Sequence, residues 1–331
     1  MAIIQKGEKG WNVVNNVEGE GSDVNSVDFA DLTDNGFDDI VVSWSVISKS
    51  QISYIDVYNK SEEGFEYEQN SKPVVADEFI CVDANDDGVA ELLTFSTGST
   101  TESPFSELYS FAYGDKELIG ETKLDNSIMS FEQITVGETE VGTSIYLDAL
   151  RADGSSMVTE FIYWSDYYGS IVSPLYSYST GKTADTTRRD LVLSRDIDDD
   201  GEVEIPTDAD IDTNSDDIKG DNWVAYNNTI FTHKVYSVSC KRDAYLILLT
   251  NNEYEKLTFN YDEENRLLSV TKGDEFCYEI KAVLQSEYED NAEAYSQFTK
   301  LSESSGYVYL ARFDGESDYN AEYLSGVIKA Y

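Results

Sequence analysis

Apolar and polar residues alternate along much of the chain in short runs, the period of a half-buried β-strand. AYLILL (residues 244–249), KLTFNYDEENRLLSVT (256–271), EFCYEIKAVLQ (275–285) and GYVYLARF (306–313) read as strands or strand pairs. EFICVDA, around Cys81, is an apolar strand pattern. Hairpin-like pairs recur at SYIDVYNKSEEGFEYEQ (53–69), LYSFAYGDKELIGETKL (108–124), EFIYWSDYYGSIVSPLY (160–176) and WVAYNNTIFTHKVYSVS (223–239). AIIQKGEKGWNVVNNVE (2–18) has the same form. Plentiful Tyr, Val, Ile and Thr support a mainly β chain.

A second pattern runs in phase with the first. DLTDNGFDDI (31–40), DANDDGVAEL (83–92) and DIDDDGEVEI (196–205) share D-x-[D/N/T]-x-[D/N]-G-x-x-[D/E] followed by Ile or Leu. The spacing is 83 − 31 = 52 and 196 − 83 = 113 residues, so one period and about two. A degenerate copy fits between them, with Asp148, Asp153, Gly154 and Glu160 but without the tight spacing; it reads as an ordinary turn. Repeats of this length, each of four short strands, predict a β-propeller of four blades plus an N-terminal partial blade, about five in all. A β-sandwich would leave the period unexplained.

The loops have oxygen-rich chemistry. Asp31, Thr33 and Asn35, Asp83, Asn85 and Asp87, and Asp196, Asp198 and Asp200 occupy loop positions 1, 3 and 5. Alternate residues of a tight turn aim at one point, and the glycine at position 6 permits the sharp bend. Asp39, Glu91 and Glu204 follow at position 9 as closing acids. Hard oxygens in this number suit Ca²⁺. An EF-hand requires glutamate at position 12, where this chain has Val42, Thr94 and Thr207. The site expected is therefore strand–loop–strand. The alternative is an acidic turn held by its own backbone hydrogen bonds.

These loops resemble those of FG-GAP/VCBS-type propeller repeats, and the calcium loop carries the likeness. GWNVVNNVEGEGSDVNSVDFADLTDNGFDDIVVSW (10–44) and TTRRDLVLSRDIDDDGEVEIP (186–206) are similar to a group of uncharacterised lipoproteins of Gram-positive gut bacteria. The resemblance implies an extracellular, lipid-anchored location with a lipidated start upstream. It also implies a small α+β domain after the propeller, and it carries no known activity.

From about Cys240 the loop copies stop, and the chain is expected to divide into a calcium-loop propeller (1–238) and an α+β C-terminal domain (239–331). SEYEDNAEAYSQFTKL (286–301) places Tyr288, Ala292, Tyr295 and Phe298 at helical spacing. DYNAEYLSGVIKAY (318–331) is expected to close the domain as a helix.

Charge narrows the partners. The chain has 331 residues and a formal net charge of −42, which disfavours nucleic acid and anionic membranes. No apolar run approaches the ~18 residues of a membrane-spanning helix. Cys81, Cys240 and Cys277 show no metal-type spacing, though a disulfide between the last two stays open. His233 is the only histidine, and nucleophile, zinc and phosphate-loop motifs are missing. Arg188 and Arg189 either offset nearby acids or bind an anionic sugar. Trp44, Trp164 and Trp223 either pack between blades or stack on sugar rings if exposed.

Three functions follow as alternatives. The leading one is a calcium-stabilised cell-surface binding or scaffold module, with a protein or glycan ligand on a propeller face. A Ca²⁺-dependent polysaccharide lyase or hydrolase and a structural envelope component are the others; catalysis is the less favoured reading.

Overall fold

The computed structural model describes residues 1–46, 53–60, 67–70, 72–99, 101–189, 191–227, 230–304, 306–313 and 318–330. The turns of the expected hairpins at 61–66 and 228–229 lie outside these. The protein is mainly β, built from several antiparallel sheets. It divides into two compact units, Met1–Thr187 with Gly201–Val203, and Arg188–Asp200 with Glu204–Tyr331.

The first unit opens with a two-stranded hairpin, Ala2–Gly7 against Gly10–Asn16. A meander follows in chain order, Asp23–Ala30, Asp39–Ser45, Ser53–Lys60 and Tyr67–Gln69, with Val74–Ala76 also on the third strand. A second meander runs Glu78–Val82, Glu91–Ser96, Phe105–Ser110 and Glu117–Lys123. A third runs Ile128–Thr139, Gly142–Arg151, Met157–Ser165 and Ser170–Val172. The second strand of the first two meanders is buried on both faces, which is why Ile40, Val41 and Val42, or Leu92 and Leu93, are consecutive rather than alternating. The edge strand Asp23–Ala30 is mostly exposed.

The second unit holds a five-stranded antiparallel sheet of Ile205–Ala209, Ile218–Asn227, Ile230–Cys240, Tyr245–Leu249 and Ile328–Ala330. A six-stranded sheet, with Asp212–Thr213 parallel to Leu257–Asp262 at its edge, completes it. The expected boundary at 238/239 falls inside the strand Ile230–Cys240. Backbone amides there pair onward with Tyr245–Leu249, so the sheet continues where the repeat pattern ends.

Among the described residues no small α+β domain is evident. The segment expected as one helix at 286–301 is helical only over Gln285–Asp290. Asn291, at φ −146°, breaks it, and a short 3₁₀ turn, Ala292–Tyr295, follows. Its aromatics still pack, Tyr288, Tyr295 and Phe298 lying against Val283, Val308 and Leu310. The closing helix is Ala321–Val327, after which the chain returns to the sheet as Ile328–Ala330.

Candidate cation site

The three loops adopt one conformation. Position 4 is left-handed in each, at Asp34 (φ 54°), Asp86 (φ 58°) and Asp199 (φ 62°), and so is the glycine at position 6 (φ 81°, 92° and 93°). Aspartate is among the few non-glycine residues that accept this region readily. Position 2 is a fully buried apolar anchor, Leu32, Ala84 or Ile197. Ile197 packs with Val192, Trp223 and Leu246, and burial of a side chain that size contributes roughly 1.5–3 kcal/mol.

The first aspartate holds each loop from within. Asp31 Oδ1 accepts the Asn35 amide at 3.1 Å and Oδ2 that of Gly36 at 2.7 Å. Asp83 accepts the amides of Asp87 at 3.1 Å and Gly88 at 2.8 Å. Asp196 Oδ1 accepts the Asp200 amide at 3.0 Å. The closing acid lies at the start of the next strand: Asp39 and Glu91 begin theirs, and Glu204 directly precedes Ile205. All three are buried.

What reaches that buried carboxylate separates the loops. Asp39 Oδ2 accepts the Leu32 amide at 3.2 Å and the Thr33 hydroxyl at 3.0 Å, while Oδ1 accepts the Lys60 amide at 3.0 Å. Glu91 Oε2 accepts the Ala84 amide at 3.0 Å, and Oε1 accepts the Asn85 side-chain amide at 3.1 Å. Asn85 also donates to Asp87 Oδ2 at 3.2 Å, so one neutral amide bridges two acids. Glu204 Oε2 accepts the Ile197 amide at 3.0 Å, but Oε1 is buried without a hydrogen-bond partner. Position 3 there is Asp198, which brings a carboxylate instead of a donor.

One oxygen from each of Asp196, Asp198 and Glu204 lies within 4.8 Å of the others, and no such trio forms in the loops at 31 and 83 among the described residues. Burial pushes the Glu204 carboxyl up to about 7, opposed by the Ile197 amide and helped by Asp198 and Asp200. Burial likewise raises Asp198, with Asp200 adding to it. Lys234 pairs with Asp200 at 2.7 Å and Lys329 with Asp199 at 2.5 Å, so two ammonium groups flank the loop. Neither lysine was singled out from sequence, because each lies far from the loop along the chain.

The other sequence candidates have structural partners. Asp153 caps the 152–156 turn, accepting the amides of Ser155 at 2.9 Å and Ser156 at 2.8 Å. Glu160 lies mid-strand, its oxygens taking the Asp125 amide and the hydroxyls of Thr183 and Ser173, while burial raises it to about 7. Arg188 is fully buried with Nε on the Val192 carbonyl at 2.8 Å, and Arg189 pairs with Asp208 at 3.1 Å. Trp44 and Trp223 are buried, and Trp164 is partly buried. His233 is exposed, with its ring nitrogens on the side-chain oxygens of Asn222 and Asn251. All three cysteines are free thiols, so the open Cys240–Cys277 disulfide is not formed.

No protein-family model matches the chain, and no curated protein matches it. No helix among the described residues is long and apolar enough to cross a membrane.

Proposed function

We propose that the protein is a calcium-stabilised binding or scaffold module of the cell surface, with its cation in the loop 196–204. The observation that carries this is the Glu204 Oε1 atom, buried without a partner beside the carboxylates of Asp196 and Asp198. A buried charge is costly unless it is paired or coordinates a metal. The donor set is hard oxygen without thiol or imidazole, which suits Ca²⁺ rather than zinc or copper. Asp196, Asp198 and Glu204 would hold the ion, and its charge would offset their mutual repulsion.

The propeller reading draws support from successive antiparallel meanders of the strand order expected for blades. In the first two, the acidic loop joins the first and second strands. The reading puts the protein outside the cell, where calcium-binding modules have affinities of about 10⁻⁴ to 10⁻³ M, far above cytosolic Ca²⁺ levels. Thermal melts in EDTA and in millimolar Ca²⁺ test the reading. A hundredfold excess over Kd adds about 2.7 kcal/mol, or roughly 5–10 °C in Tm. Identical melts, or an equal gain from monovalent salt at matched ionic strength, would sink it.

A further inference from the structure

The tryptophans that sequence offered for sugar stacking are largely buried, yet the first unit has another aromatic surface. Two hollows of about 520 Å³ each meet at Glu121, Thr122 and Tyr178. One reaches toward Thr101 and Phe105, the other toward Tyr163, Tyr168 and Tyr176. Each falls within the size range of small-molecule sites. Tyr178 is 79% exposed and Tyr168 72%, far more than a tyrosine with only a packing role. Tyr176 and Tyr178 meet edge to face at 5.0 Å, as do Tyr167 and Tyr168 at 4.8 Å. Edge packing braces the rings and leaves ring faces available.

We propose that this double hollow binds an uncharged oligosaccharide, with Tyr178 as the central stacking platform. A tyrosine ring pairs an apolar face with a polar tip, which suits a sugar's apolar C–H face and its rim of hydroxyls. Acceptors stand beside the rings: Glu102, Glu107 and Glu121 line the hollows. Glu107 already accepts the Tyr109 hydroxyl at 2.7 Å, which fixes its carboxylate. Thr122 offers a hydroxyl, and the Ser170 hydroxyl accepts the Glu121 amide at 3.2 Å, fixing the backbone between the hollows. Lys123 is the one cation of the lining, its ammonium 5.7 Å from the Phe105 ring centroid. Three glutamates against one lysine leave the lining at −2, in a chain at −42. That field repels uronates and sulfated sugars and leaves neutral chains as the class that fits.

The inference rests on reading the protein as a binding module, but not on calcium, because the hollows lie wholly in the first unit and none of their lining residues belongs to the loop 196–204. Titration calorimetry of the full chain tests it, with gluco-, xylo-, manno- and N-acetylglucosamine oligomers set against oligogalacturonate, each in Ca²⁺ and in EDTA. At least one neutral series should bind, in Ca²⁺ and in EDTA alike. Tyr178→Ala should weaken it about tenfold, Tyr178→Phe should largely retain it, and Tyr113→Ala, outside the hollows, should leave it unchanged. Tyr178 is exposed, so its loss leaves folding intact. Failure of every neutral series to bind, preference for oligogalacturonate, or indifference to Tyr178→Ala would overturn the proposal. Calcium melts that fail while sugar binding persists would remove the cation reading alone.

Discussion

The loops at 83–91 and 196–204 share a backbone, a buried anchor at position 2 and a buried closing glutamate, and they differ at position 3. Asn85 closes its loop from inside by donating to Glu91 Oε1. Asp198 brings a carboxylate where Asn85 brings an amide donor, and Glu204 Oε1 has no hydrogen-bond partner. The residue at position 3 thus goes with the difference between a closing acid whose two oxygens are both satisfied and one with an oxygen left over. The loop at 31–39 falls on the first side, with Thr33 supplying a hydroxyl to Asp39.

The largest effect should come from converting the satisfied loop into the open one. Asn85→Asp removes the donor to Glu91 and adds a third carboxylate beside Asp83 and Asp87. Without metal it should cost about 1–3 kcal/mol, the penalty of a buried acceptor left unmade, and lower Tm by several degrees. Added Ca²⁺ should restore much of the loss. An Asn85→Asp protein that melts as wild type in EDTA would show that position 3 does not govern the loop.

A smaller effect lies in pH. Burial raises Glu91, Glu160 and Glu204 from 4.5 to about 7. Between those values the folded chain holds protons that the unfolded chain has released. Their contribution is therefore complete below about pH 4.5 and lost as pH rises through about 7. Metal-free stability should decline over that interval. Of these three glutamates only Glu204 belongs to the proposed cation site, so the calcium increment should be small near pH 5 and full near pH 8. Melts across that range with and without Ca²⁺ check this; an increment independent of pH would contradict it.

Much of this was legible in the residues. Alternation marked the strands, and the glycine at position 6 marked the sharp turns; the left-handed aspartate at position 4 falls where the motif leaves the residue open. Residue types set the fully acidic loop at 196 apart from the loop at 31, where Thr33 and Asn35 replace carboxylates, but whether Glu204 is satisfied depends on burial and on the direction of one neighbouring side chain. Helical spacing misled at 286–301: the aromatics do pack on one side, but Asn291 leaves helical geometry between them. Tyr245–Leu249 and Ile328–Ala330 extend a sheet begun before residue 238, a pairing that the end of the repeats does not announce. The tyrosine hollows were hidden because Glu121 and Tyr178 lie far apart in sequence; the dense tyrosines of 163–178 were the available signal.

Calcium titration of wild type beside Asp198→Asn tests the central claim most directly. The asparagine gives loop 196–204 the donor that Asn85 gives its own loop, in nearly the same volume. Wild type should bind one Ca²⁺ per chain. Asp198→Asn should bind none, while melting in EDTA at or above the wild-type temperature because Glu204 Oε1 gains a partner. Three sites in wild type, none in wild type because Lys234 already supplies the counter-charge, or one site that survives Asp198→Asn would each contradict it.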